Sequence, residues 1–442
     1  MGAKDLLSGT RLGGSQKFTS KQIAETLDKL VEQGVTRGAS DIHIEPFEHF
    51  VLVRYRIDGA LRGVHKLPHA SLPLLMAAIK KRAALDPEEN DLPAEGRYTA
   101  TLNGQEVHVQ VATMPVYGGE KAVLHISTPP GKPQALATLG FWGENLATLQ
   151  RLLAHPQGML VVAGQRHCGA SSTLFSLLDQ LNNPIVNIAT VESHPKHRLP
   201  GVNQTYTDVG GMSIADGLKA VLRQDPNIVL LSDMPDGTTA KLAVHAASTG
   251  HCILARMYAE SAVAAVIQLR ATGAEPFLLA SSLKACISQR LVRALCPHCR
   301  ERSIVSADEQ KQLHARLGLT TAAVRKRVTE MERSLAPAIF GDVKQLNSSP
   351  SGITHLWRAS SEGCAACGHS GYQGRIAIVE VLEITEPLQQ ALLASQAPSV
   401  GSLHAVALKH GFVPLALDGL LKALRGQTTI AEVLKVIGAP LD

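Results

Sequence analysis

Residues 164–173, Gly164-Gln165-Arg166-His167-Cys168-Gly169-Ala170-Ser171-Ser172-Thr173, have the frame G-x-x-x-x-G-K-[ST] of a phosphate-binding loop, with Ala170 in the lysine's place. Backbone N–H groups of such a turn converge on one point, and the helix behind it adds partial positive charge, so a phosphate is favoured even without a lysine. The lysine normally neutralises the β- and γ-phosphates and stabilises charge during transfer, which alanine does not do. Ser171 keeps the hydroxyl that usually meets Mg²⁺. Gly164, Arg166, Gly169, Ala170, Ser171 and Ser172 form the candidate nucleotide-binding set, and Arg166 or His167 could supply the lost charge from another direction. The plain alternative is an ordinary strand–turn–helix.

Four cysteines form two C-x-x-C pairs, Cys296 with Cys299 and Cys364 with Cys367. Two pairs complete a tetrahedron of thiolates, the signature of structural zinc, against the alternative of free thiols or a redox pair. Such a site has no open position and so no catalysis; it would tie together the base of the excursion over residues 300–363. Cys252 and Cys286 lie in apolar surroundings and read as buried thiols, leaving Cys168 as the one to test for reactivity.

The elements that must position these residues are legible around them. Residues 159–163 are a continuous apolar run and read as a buried strand, and residues 171–181 as a helix. Residues 228–231 make a second buried strand, and between 134 and 300 strands alternate with helices, the pattern of a parallel sheet. Before them, residues 19–34 have helical apolar spacing with Thr19 or Ser20 as cap, and residues 41–61 alternate around the hairpin signal Asp58-Gly59. Residues 72–85 read as helix and 97–126 as further strands with a turn at Asn103-Gly104, which together make an α+β domain over 19–127. Residues 1–18 read as a flexible lead and the Pro/Gly-rich 128–133 as a linker. The domain over 134–442 contains the cysteine element at 296–367 and a helical tail at 380–441 with Thr428 or Thr429 as a cap; the excursion over 300–363, with its charged helical part at 307–335, reads as a tolerated surface insertion or a partner surface.

With 442 residues the chain has room for two or three cores, and no uncharged apolar stretch reaches the roughly 18 residues that span a bilayer. No secretory signal is visible, and seven cysteines with C-x-x-C spacing suit a reducing compartment. The net charge of +5 selects no partner, and the low aromatic content gives nucleic-acid binding no support.

Longer runs carry a resemblance. TVESHPKHRLPGVNQ starts at Thr190, GLKAVLRQDPNIVLLSDMPDGTTAKLAVHAASTGH at Gly217, SSLKACISQRLVRALCPHCR at Ser281 and GCAACGHSGYQGR at Gly363. GASDIHIEP from Gly38, VRYRIDGAL from Val53 and LPAEGR from Leu92 precede them. In this order they closely resemble the secretion-ATPase superfamily of type II secretion and type IV pilus assembly (GspE/PilB-like) over residues 21–437. The resemblance implies a RecA-like P-loop NTPase domain behind a smaller α+β domain, with a tetracysteine zinc element and C-terminal helices. It also implies a cytoplasmic motor peripheral to the inner membrane, forming hexameric rings, binding ATP between two lobes and driving an inner-membrane platform protein.

Departures fall on the chemistry. The family's TVEDP reads Thr190-Val191-Glu192-Ser193-His194, and its GEIRD reads Ser232-Asp233-Met234-Pro235-Asp236, with Asp233 for a glutamate that positions water. That substitution loses one methylene of reach. The histidine motif STLHTND reads Ala255-Arg256-Met257-Tyr258-Ala259-Glu260-Ser261. Gln110 and His125 occupy places of nucleotide-directed arginines, whereas Arg54, Arg56 and Arg97 remain. Glu192 and Asp233 are the surviving candidate catalytic carboxylates. Chemistry is replaced while apolar pattern persists, which leads to a pseudo-ATPase: a ring component or regulator that assembles with itself or a related motor ATPase. Two other readings stand beside it, a divergent active ATPase using Arg166 and Asp233, and a zinc-dependent adaptor without nucleotide.

Overall fold

The computed structural model describes residues 19–102, 104–127, 133–193, 198–207, 211–319, 321–339, 346–394 and 398–438. The expected lead at 1–18, residues 128–132 of the expected linker, Asn103 of the expected turn, His194 and the last four residues lie outside the described residues. The chain divides into two compact units, Met1–Gly131 and Lys132–Asp442.

The first unit contains α1 (Ser20–Thr36), β1 (Ala39–Pro46), β2 (Phe50–Ile57), β3 (Ala60–Pro68), α2 (Leu72–Arg82), β4 (Ala94–Leu102), β5 (Gln105–Val116) and β6 (Gly119–Ser127). The six strands form one antiparallel sheet in the order β3-β2-β1-β6-β5-β4. Thr19 opens α1 through a reciprocal capping box with Gln22. Asp58 and Gly59 both take positive φ (50° and 83°), the geometry of a two-residue hairpin turn between β2 and β3. Alternation on β2 buries Val51, Val53 and Tyr55 in the core that α1 and α2 cover, with the Tyr55 hydroxyl donating to the Leu30 carbonyl at 2.8 Å. The alternate residues Arg54 and Arg56 lie on the other face.

The second unit begins with α3 (Leu136–Leu139), α4 (Gly143–Leu153), β7 (Gly158–Ala163), α5 (Ala170–Leu181), β8 (Ile188–Glu192), β9 (Asn203–Tyr206), α6 (Ile214–Leu222), β10 (Ile228–Leu231) and α7 (Gly237–Ser248). It continues with β11 (Cys252–Met257), α8 (Ala262–Ala271), α9 (Pro276–Ser282), β12 (Leu283–Leu295), β13 (Glu301–Ile304), α10 (Ala307–Arg316) and α11 (Ala322–Ile339). Short strands β14 (Ser348–Ser349), β15 (Gly352–Ile353) and β16 (His355–Arg358) lead to β17 (Tyr372–Glu383), and α12 (Glu386–Leu393), α13 (Val400–Lys409), α14 (Leu415–Leu424) and α15 (Ile430–Val436) follow.

The main sheet has the order β17-β12-β7-β11-β10-β8-β9, parallel except for β17. Every residue of β7 is buried, because helices cover both faces of a parallel sheet. One core packs beneath α6, α7 and α8, and the other beneath α5. This is the α/β architecture the sequence implies.

Two expectations need correction. The helical tail starts at Glu386, not at residue 380, because β17 runs on to Glu383. Ile378, Val379 and Val381 pair with β12, and the intervening Glu380 is not a solvent-facing helix residue. Its buried carboxylate accepts the N–H groups of Ala262 (2.7 Å) and Leu415 (3.0 Å), the first residues of α8 and α14. The excursion over 300–363 is likewise no insertion resting on the surface. Val305, Leu313, Val328, Leu335 and Leu356 share a core with Trp142, Leu420 and Leu424, and the fully buried Glu332 accepts the N–H groups of Asn347 and Ser348 at 2.9 Å each.

A buried ion pair docks α14 on β17. Asp418 accepts the Val379 N–H at 2.7 Å, and Lys422 beside it donates to the Ala377 carbonyl at 2.7 Å. Removing one partner strands the other charge in a dry interior. Lys422→Met should therefore destabilise the unit by about 3–5 kcal/mol in denaturant unfolding, with most of the loss recovered in Asp418→Asn/Lys422→Met. A single-variant loss below about 1 kcal/mol would show that the pair is hydrated instead.

Candidate functional site

The parallel registers bring several strand ends to one edge of the second unit's sheet. Ala163 stands opposite Met257 and Ser288, Ala255 opposite Leu231, and Leu231 opposite Val191. The loop after β7, Tyr258 after β11, Asp233 after β10 and Glu192 at the end of β8 therefore share the carboxyl-end edge, where ligands of open α/β sheets bind.

The loop is tight. The Gly164 N–H donates to the Met257 carbonyl at 3.2 Å, and the Cys168 N–H to the Gln165 carbonyl at 3.3 Å. His167 and Gly169 take left-handed φ of 62° and 91°. A Cβ on Gly164 would lie 2.5 Å from the Cys168 sulfur, so the glycine is required by the packing of that thiol. Cys168 is 3% exposed, which corrects its choice as the thiol to test for reactivity: access is closed. Cys252 and Cys286 are buried, and burial raises both thiols, Cys252 to about 12.

Ala170 opens α5 with its methyl in the core beneath the helix. Ser171 is half-buried, and Ser172, Arg166 and His167 are exposed. A residue not singled out by the sequence holds these parts together. Gln289, buried on β12, donates through Nε2 to the Cys168 carbonyl and accepts the Thr173 hydroxyl, both at 2.8 Å.

The two candidate carboxylates have different surroundings. Glu192 is buried; it accepts the Thr190 hydroxyl at 2.6 Å and the Gln204 amide at 3.0 Å, and burial pushes its carboxyl up despite those bonds. It ties β8 to β9, where Thr190 and Gln204 pair in register. Asp233 is half-buried and accepts the Met234 N–H at 2.9 Å. Burial pushes its carboxyl up too, opposed by the field of Arg256. The structure thus brings Asp233 together with a guanidinium absent from the candidate set. The only local hint was a cation within the Ala255–Ser261 motif.

In the first unit two of the persisting arginines are already paired. Arg54 meets Glu45 at 2.6 Å and Arg56 meets Asp41 at 3.2 Å, while His125 also contacts Asp41. Burial would raise the Asp41 carboxyl, but His125, Ser40 and Arg56 outweigh it and hold it at about 2. Arg97 lies opposite Gln110 on β4 and β5.

The four cysteines do assemble. Cys296 follows β12, and Cys364–Cys367 turns just before β17, whose start pairs with the end of β12 through Tyr372 and Leu295. The four sulfurs all lie within 4.8 Å of one another, with Cys296–Cys364 at 3.7 Å and Cys299–Cys367 and Cys364–Cys367 at 3.8 Å. The N–H groups of Cys364 and Gly371 point at the Cys367 sulfur and lower that thiol to about 6. The group could hold a metal ion.

Comparison with known proteins agrees with this geometry. The family model of the type II/IV secretion system protein matches residues 16–435. The type II secretion system protein E of Klebsiella pneumoniae is 34% identical over 420 residues, 95% of this chain and 76% of that protein. The type IV pilus assembly ATPase PilB of Thermus thermophilus is 32% identical over 421 residues, 95% of this chain and 42% of that protein. Among solved structures, the Legionella pneumophila ATPase DotB superposes with a TM-score of 0.64 at 16% identity, covering 97% of this chain and 98% of that one, a likeness of fold. No described helix is long and apolar enough to cross a membrane. By its matched length and its relatives, the chain belongs to the type II/IV secretion system protein family.

Proposed function

We propose that this motor-family subunit keeps a nucleotide cradle but hydrolyses ATP weakly or not at all, and acts as a ring component or regulator of a type II secretion or type IV pilus assembly system. The observation that carries the reading is Ala170: where a P-loop lysine would reach the terminal phosphates, a methyl is packed in the core. Asp233 supports it, since its carboxylate is one methylene short of the glutamate it replaces and is bonded to its own neighbour's N–H. Misplacement of about 1 Å costs on the order of a hundredfold in rate. Glu192 supports it as well, because its carboxylate is already bonded to Thr190 of its own strand and to Gln204 of the edge strand β9. The subunit would work at the cytoplasmic face of the inner membrane, in a ring with itself or a related motor ATPase, against a membrane platform protein.

Phosphate release from ATP with Mg²⁺ tests this. The expected result is saturable ATP binding with turnover far below the roughly 1 s⁻¹ typical of working enzymes. Turnover at or above that rate, abolished by Asp233→Ala, would overturn the reading.

The cysteine cluster is proposed as a structural zinc site. Four thiolates about 2.3 Å from a tetrahedral zinc stand about 3.8 Å apart. Three of the six sulfur separations, at 3.7–3.8 Å, match that edge, and all six lie within 4.8 Å. Zinc would clamp the turn after β12 to the turn before β17. A chelator should release equimolar zinc and lower the melting temperature, as should Cys364→Ser/Cys367→Ser, because a structural metal's binding energy is folding energy. Unchanged melting after verified zinc loss would remove the metal from the account.

A further inference from the structure

The geometry points to Arg256 as the group that meets the nucleotide's terminal phosphates, the missing loop charge being supplied from the neighbouring strand. This inference rests on the nucleotide-binding reading above and identifies which side chain performs it.

Placement comes first. Arg256 is the penultimate residue of β11 and pairs in register with Val162 of β7, two residues before the loop. Val162 and Leu254 lie in the core beneath α5 together with Leu174 and Leu178. Residues two apart on a strand share a face, so Arg256 continues that face to the edge where α5 begins. The competing cation Arg290 donates to the Glu260 carbonyl at 2.9 Å, whereas its neighbour Gln289 faces the loop, so successive residues of β12 send Arg290 to the other side. Arg166 lies inside the loop but is exposed.

The guanidinium is also held ready. Its Nη2 donates to the Tyr258 hydroxyl at 3.1 Å, and its central carbon lies 4.7 Å from the Tyr258 ring centroid. Tyr258 thus serves as a platform that fixes a planar cation. Nε is buried with no hydrogen-bond partner among the described residues. A buried N–H of this kind is costly unless a partner meets it, and a charged oxygen is the strongest partner available. Asp233, just after the neighbouring strand β10, lies within the field of the same guanidinium. Two of the departures in the Ala255–Ser261 motif, Arg256 and Tyr258, are then one substitution in physical terms: a cation and the surface that orients it.

The test measures binding of a fluorescent ATP analogue with Mg²⁺, with AMP as competitor, to the full chain and to Arg256→Ala, Arg256→Lys and Ala170→Lys/Arg256→Ala. ATP affinity should fall about tenfold to a hundredfold in Arg256→Ala, the range for losing a hydrogen bond between charged groups. AMP affinity should hold, Arg256→Lys should recover part of the loss, and the double variant, with a loop lysine restored, should recover more. Thermal melting of each variant separates unfolding from lost binding, and Tyr258→Phe, which keeps the ring, should show a smaller loss of ATP affinity than Arg256→Ala. ATP bound equally by full chain and folded Arg256→Ala would overturn the assignment while leaving the nucleotide reading intact. A full chain that binds neither ATP nor AMP would overturn both.

Discussion

One buried amide keeps the loop in shape. Gln289 spans from β12 to the end of the turn and the first turn of α5, gripping the Cys168 carbonyl with its nitrogen and the Thr173 hydroxyl with its oxygen. The loop contains two residues in left-handed backbone, one of them the non-glycine His167, a conformation that persists only where the surroundings over-determine it. Leaving either end of that amide unsatisfied would cost about 1–3 kcal/mol, so loop and strand hold each other in place. The cradle is therefore built by the fold and does not depend on a lysine or a phosphate to organise it. This is why its outline survives while the loop chemistry has changed.

Buried carboxylates play the corresponding part in the rest of the second unit. Glu380 joins the N-termini of α8 and α14 through one side chain, Asp418 fixes α14 against β17, and Glu332 seals α11 over the chain that returns to β16. All three are bonded to backbone N–H groups, so their role is to satisfy interior donors at helix starts, on β17 and in the chain leading to β16. Through β17 the same elements reach the cysteine turns. The cysteine element, the excursion it encloses and the closing helices consequently share a core with Val292 of β12 and Ile378 of β17. Loss of packing in any of them reaches the strand that carries Gln289.

The sequence made visible what depends on local pattern. The apolar run of β7, the turn-and-helix after it, the Asp58-Gly59 hairpin and the paired C-x-x-C motifs each have a period or spacing that needs no partner to interpret. Gln289, Glu380 and Arg256 carry no such mark, since their roles come from registers between strands far apart in the chain. Glu192 shows the limit from the other side. A carboxylate at a strand end reads as chemistry, and only the pairing of β8 with β9 reveals that Thr190 and Gln204 already occupy it. Cys168 likewise looks available in a loop until its sulfur is seen packed against Gly164.

Where a cation stands decides what it does for a triphosphate. A loop lysine lies against the bond that breaks and gains strength as charge develops there. A guanidinium anchored on a strand and braced by Tyr258 is fixed in place, and it would meet the phosphates of bound nucleotide and of the transition state about equally. Binding both states alike tightens the complex without lowering the barrier between them. Asp233, one methylene shorter than a glutamate and bonded to the Met234 N–H, reaches less far on the water side. On the proposed reading the same edge of the sheet would favour holding a nucleotide over splitting it. Charge supplied by Arg256 and not by the loop would then serve occupancy ahead of turnover.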